Sequence, residues 1–177
     1  MTNWGAAERM KLMVLLGASL LAASSIAAAQ VNPLPQASDL ELVKKIAVPA
    51  NAGWVDTGLD VGQGDQFYVH ATGEISVQKG NPAANCGPAG LDIITVQQPV
   101  PDRNLGSLVG RVAQLIALKK DEDSGEEIRD EIVQYFFIGE TSDVTIPMKG
   151  RIYLGINEDI VKDNAGEFTV YIYRRKA

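Results

Sequence analysis

Two alternating runs near the C-terminus constrain the fold more than anything else in this chain. In residues 151–156, Ile152, Leu154 and Ile156 fall on one face, and in residues 167–173, Phe168, Val170 and Ile172 do the same. A period of two is the mark of a half-buried strand, because successive side chains of an extended chain point to opposite sides. The connecting segment, Asn157-Glu158-Asp159-Ile160-Val161-Lys162-Asp163-Asn164-Ala165-Gly166, carries three carboxylates and two amides. A hairpin-like pair of strands joined by this loop is expected. Oxygen donors at that density suit a hard cation such as calcium. They are also ordinary turn residues, so both readings stand at this point.

Upstream, the same kind of element recurs. Residues 40–48, 54–61, 66–71, 73–77, 91–96, 105–118, 132–138 and 144–147 read as short β segments separated by Gly, Pro and Asn. In 66–71, Phe67, Val69 and Ala71 face inward, which sets Tyr68 and His70 on the other side. No long helical period follows residue 30, so nothing supplies the crossover helices of an α/β fold. The pattern indicates an all-β chain folded as a single β-sandwich over residues 40–177. Residues 119–131 form a charged insertion expected as a solvated loop or short helix; Glu126 stands where a calcium-binding EF-hand loop needs glycine.

Residues 1–29 read as a signal peptide. Arg9 and Lys11 precede an uncharged apolar stretch, and Ala27-Ala28-Ala29 before Gln30 forms a small-residue cleavage site. The apolar part falls short of the roughly 20 residues that span a bilayer, so the mature form is expected to have no membrane span. An uncleaved anchor is the competing reading, and Met10 is a candidate start. Residues 30–39, with Pro33 and Pro35, form a linker or loose arm. Periplasmic or secreted localisation follows.

Removing the leader takes away Arg9, Lys11 and Glu8, leaving 14 basic and 21 acidic residues and a net charge of −7. An acidic surface repels phosphate backbones, so nucleic acid is not an expected partner. Cys86 is the only cysteine and His70 the only histidine. An intramolecular disulfide and a histidine-based zinc site are both excluded. Nucleophilic or acid–base chemistry needs a positioned base and partner, and these two isolated residues supply neither. The chain is therefore read as non-catalytic.

The ordered set Trp54-x-Asp56-Thr57-Gly58, Gly64-Asp65, Ala71-x-Gly73, Gly87-Pro88-x-Gly90, Gly106-x-Leu108, Gly139, Gly150-x-x-x-Leu154 and Asn157-Glu158 to Asn164-x-Gly166 resembles the galactose-binding lectin-like family typified by the galactophilic lectin of Pseudomonas. The likeness runs from about residue 47 to 174. It implies a jelly-roll-like sandwich, galactose-binding-domain-like in outline. In that family the loop between the last two strands cups one calcium ion, and two vicinal sugar hydroxyls complete its coordination. Carried over by position, it implies carboxylate and amide donors at Glu158, Asp163 and Asn164, with backbone carbonyls near Lys162 and Val77. It also implies that Trp54 is buried where the two sheets meet. Two departures are plain: Glu stands at 158 where the family has Asp, and the loop is two residues shorter. The family's sugar-contacting histidine has no counterpart in residues 91–98, where Gln97 or Gln98 could supply an amide instead.

The leading expectation is thus an exported, calcium-dependent carbohydrate-binding module, with homo-oligomerisation possible. The alternative is a structural or interaction domain of the cell envelope that keeps the sandwich without a working sugar site.

Overall fold

The computed structural model describes residues 39–96, 98–122 and 124–176. The expected leader, the arm up to residue 38, and Gln97 lie outside the described residues. Nine strands follow in order: β1 (Leu40–Pro49), β2 (Val55–Val61), β3 (Gln66–Ser76), β4 (Asn85–Cys86), β5 (Leu108–Lys120), β6 (Glu127–Phe137), β7 (Thr141–Thr145), β8 (Gly150–Ile156) and β9 (Ala165–Arg175). One 3₁₀ turn, Pro82–Ala84, precedes β4. No helix among the described residues is long and apolar enough to cross a membrane.

The strands form two antiparallel sheets. Sheet A has the order β1-β9-β3-β4, with β7 pairing beside β4 on the outer edge of β3, and sheet B has the order β2-β8-β5-β6. The two alternating C-terminal runs are therefore not a hairpin. Strand β8 lies between β2 and β5 in sheet B, whereas β9 lies between β1 and β3 in sheet A. The reason is their burial pattern. Each run has one apolar face, and the two faces hide best by confronting each other across the sandwich. Ile152, Leu154 and Ile156 join Phe168, Val170 and Ile172 in one buried core with Val48, Phe67, Val69, Ile75, Leu108 and Val112. The loop of residues 157–164 consequently crosses from one sheet to the other over the end of the sandwich.

Several expectations are corrected. Residues 73–77 are mostly the continuation of β3 rather than a separate strand. Residues 91–96 form no strand. The charged segment 119–131 is neither loop nor helix for most of its length: β5 runs to Lys120, β6 begins at Glu127, and Lys119 pairs with Ile128 in the ladder. The ladder closes with the pair Lys120 and Glu127. The segment's charges face water while the backbone stays in a two-stranded ribbon, so composition read them as a loop.

Trp54 does not fill the core. It is half-buried on the outer face of sheet B, with its ring 5.5 Å from Tyr135. The Arg111 guanidinium lies 5.0 Å from the Trp54 ring and 4.8 Å from that of Tyr153. The inward residue of that motif is Thr57, fully buried, whose hydroxyl donates to the Ile152 carbonyl at 2.8 Å. The β2–β8 register shifts between Asp56 and Asp60. Gly58 sits in this irregularity with φ of 77°, its N–H donating to Asp56 Oδ1 at 2.8 Å. Arg151 reaches across to both Asp56 and Asp60 and ties the bulge down. That pairing holds the Asp56 carboxyl below its ordinary range, with the Gly58 N–H as the next cause.

Candidate functional site

The crossing loop is built on Asn157, which is fully buried at the end of β8. Its Oδ1 accepts from the Val100 N–H at 2.9 Å. Its Nδ2 faces four oxygens: Gln98 Oε1 at 3.3 Å and the carbonyls of Val100, Arg103 and Asn104 at 3.0, 3.4 and 3.2 Å. One side chain thus pins the irregular segment 98–104 to the sandwich. This segment has no sheet partner of its own, so its backbone groups need such a staple. Asn157 is therefore structural, with both ends of its amide occupied.

Gln98 belongs to the same staple. It is buried, and its Oε1 takes the Asn157 bond, so it is a packing partner rather than an amide presented to a sugar. Gln97, the other candidate, lies outside the described residues.

Beyond Asn157 the loop brings Glu158 and Asn164 together. Asn164 is buried; its Nδ2 donates to Glu158 Oε2 at 2.7 Å and to the Ala50 carbonyl at 3.3 Å. Its Oδ1 is buried with no hydrogen-bond partner. Burial pushes the Glu158 carboxyl above its ordinary range; the Asn164 bond acts against this, and the nearby negative charge of Asp163 adds to it. Asp163 itself is exposed, and its backbone carbonyl accepts from the Lys79 N–H at 2.8 Å. Val77 is buried just past β3, with its N–H donating to the Ala84 carbonyl at 3.0 Å. Lys162 and Asp159 are exposed in the turn. Among the described residues, no three His, Cys, Asp or Glu side chains converge as a metal-binding group. What the loop does bring together is the Glu158 carboxylate and the Asn164 amide, with the Asp163 charge near enough to repel that of Glu158.

Cys86 lies under this region, buried. Burial, then the negative charges of Glu158 and Glu74, push its thiol up to about 11. It stays protonated at neutral pH, which deprives it of nucleophilic character. Beside the loop is a hollow of about 210 Å³ lined by Ser76, Lys79, Asn81, Asn85 and Ala165 among others. Sequence reading missed these residues because nothing in their spacing sets them apart from turn chemistry. Asn81 in fact caps the 3₁₀ turn, accepting from the Ala83 N–H at 3.1 Å. A larger hollow of about 310 Å³ lies on the outer face of sheet B, bordered by Asp60, Arg129, Glu131, Lys149, Arg151 and Tyr153. It is distant in the fold from the oxygen-rich loop and brings no buried acceptor with it.

No protein-family model matches the chain, and no curated protein matches it. Among solved structures, one described as "EclA N-terminal domain; PllA-like lectin" is similar with a TM-score of 0.50 and 22% identity, over 78% of this chain and 99% of that chain. The fold is a lectin-like β-sandwich. At this identity the likeness speaks for the architecture alone, and the chemistry of the loop rests on the residues just described.

Proposed function

We propose that this chain is an exported, non-catalytic carbohydrate-binding module with a jelly-roll-like sandwich of the galactophilic lectin type, which holds calcium in the β8–β9 loop. The observation that carries this reading is Asn164. Its nitrogen is engaged on both sides while its buried oxygen has no partner. A buried acceptor left unpaired is costly, and in native proteins it usually has an explanation. A cation supplies one here. It would bond Asn164 Oδ1, favour the ionised form of Glu158, and relieve the repulsion between Glu158 and Asp163. Calcium accepts six to eight oxygens in flexible geometry, so these donors, with backbone carbonyls such as those of Val77 and Lys162, leave positions for sugar hydroxyls. The polar hollow beside the loop, with Asn81 and Asn85 on its wall, is where the rest of a sugar would rest; Gln98 has no part in it.

Binding rather than catalysis is supported by the state of the two reactive residue types. Cys86 is buried and protonated, and the His70 ring stacks on Tyr171 with its Nδ1 3.1 Å from Thr141 Oγ1. Export rests on the charged, apolar, small-residue order of residues 9–29. Mass spectrometry of the secreted chain should find Gln30 at the N-terminus, and a membrane-retained full-length species would rule it out.

Calcium titration by calorimetry, followed by a glycan array with and without chelator, tests the main reading. Chelator-sensitive glycan binding is expected. A well-folded chain indifferent to calcium and to every glycan would overturn this reading and leave the second, an envelope interaction domain. The burial of Gln98 and Asn157, which removes two amides from solvent, favours that alternative.

A further inference from the structure

Strand β6 ends sheet B, with β5 on one side and, among the described residues, no strand on the other. Together β5 and β6 project past the sandwich as a two-stranded ribbon: burial on β5 stops after Ala113, and all residues from 114 to 120 except Ala117 are exposed. The ribbon is not a polar arm. Leu115, Ile116, Leu118, Ile128 and Ile132 are between 45% and 57% exposed on it. A long free edge presents unpaired N–H and C=O groups, a template for another strand, and exposed apolar residues beside it sharpen that tendency.

We propose that a second copy of this chain occupies the edge, β6 against β6, antiparallel about a two-fold axis at Asp130, so that two copies of sheet B become one continuous sheet. The occupant is argued from the strand's own charge pattern. Directly opposed residues of an antiparallel ladder share a face, so the axis of a self-paired strand must pass through a residue. With the axis at Asp130, Arg129 stands opposite the partner's Glu131, and Ile128 stands opposite the partner's Ile132. Two-fold symmetry makes each pairing twice. Asp130 meets the partner's Asp130, and each has its own Lys119 as an ion-pair partner. Moving the axis to Arg129 opposes that residue to its own copy and Glu127 to the partner's Glu131. Moving it to Glu131 opposes two glutamates. Within one chain, neither Arg129 nor Glu131 has an ion-pair partner among the described residues. The pairing thus gives both charges the partners they lack.

Sedimentation velocity over a concentration series is the test, on the wild-type chain, Arg129→Glu, Glu131→Arg and the double swap, with circular dichroism to establish folding. A reversible dimer is expected. Each single reversal acts at two symmetric sites and should weaken it by about tenfold or more, since opposed charges across strands attract or repel by comparable amounts. The double swap should restore it. Arg129→Gln, which removes charge without reversing it, serves if a reversal perturbs folding, and it should weaken the dimer to a smaller degree. A chain that stays monomeric throughout overturns the proposal. So does a dimer indifferent to the single substitutions, or a double swap no tighter than either single.

Discussion

Asn157 offers the sharpest test of how the crossing loop is held. Replacing it by Asp leaves the shape almost unchanged and keeps an oxygen for the Val100 N–H, so no cavity opens. The other end changes sign. Where Nδ2 faces four oxygens at 3.0 to 3.4 Å, the substitution sets a second oxygen, and the site offers it no donor. An ionised carboxylate in a fully buried site of this kind has its pKa raised, by up to about 3–5 units. Taking about 3 units, at 1.36 kcal/mol per unit, destabilisation at pH 7 comes to about 4 kcal/mol. The sign follows from linkage. The folded-state pKa lies above the unfolded one, so the folded protein binds the extra proton, and stability is retained below about pH 4. It is lost as pH rises from there to about 7, at up to about 1.4 kcal/mol per pH unit. Asn157→Ala behaves differently. It leaves the Val100 N–H and at least one carbonyl unsatisfied, for about 3 kcal/mol, with no pH dependence beyond that of the wild type. Urea unfolding followed by circular dichroism at pH 5 and pH 8 distinguishes them. If Asn157→Asp is as stable as wild type at pH 8, or its deficit does not grow between the two pH values, the four-oxygen surround is wrong.

Three further outcomes are expected. Because burial and Asp163 hold the Glu158 carboxyl above its ordinary range, Glu158 favours the calcium-free fold below the model-peptide carboxylate range. That contribution is lost as pH rises through its folded value. Glu158→Gln should therefore flatten this part of the pH–stability profile, leave the calcium-free protein as stable or more so at pH 7, and abolish any rise in melting temperature with calcium; an unchanged calcium response would exclude Glu158 as a donor. Cys86 should resist alkylation in the native state at pH 8 and react at once in urea, since it is buried and its thiol sits at about 11; rapid native labelling would mean that the β4 region opens. Trp54→Ala should destabilise by about 2 kcal/mol, less than the 3–5 usual for a buried aromatic, because Trp54 is half-buried on the outer face of sheet B; a larger loss in a urea melt would mean that it supports the core after all.

The sequence by itself determined which residues are buried along the last two strands. Ile152, Leu154 and Ile156, and again Phe168, Val170 and Ile172, announce their inward faces because a strand's period is set by local backbone geometry. Adjacent residues are enough to fix it, and the all-β sandwich follows from repeating it. What adjacency cannot fix is which strand pairs with which. The two runs read as a hairpin, yet each lies in a different sheet, since only the assembled core decides whether two apolar faces sit side by side or opposed. The site followed the same division. Glu158 and Asn164, six residues apart on one loop, were legible as neighbours and do meet at 2.7 Å. Asn157 looked like another oxygen donor of the loop, but its amide is consumed by Val100, Arg103 and Asn104, more than fifty residues away. The lectin-like motif implied that Trp54 lies where the two sheets meet, yet the register shift of β2 and the guanidinium of Arg111 hold it on the outer face. Local periodicity is encoded residue by residue, whereas the partner of a polar group, and the side of a sheet on which an irregular strand leaves its neighbours, are set by contacts between segments that the sequence does not bring together.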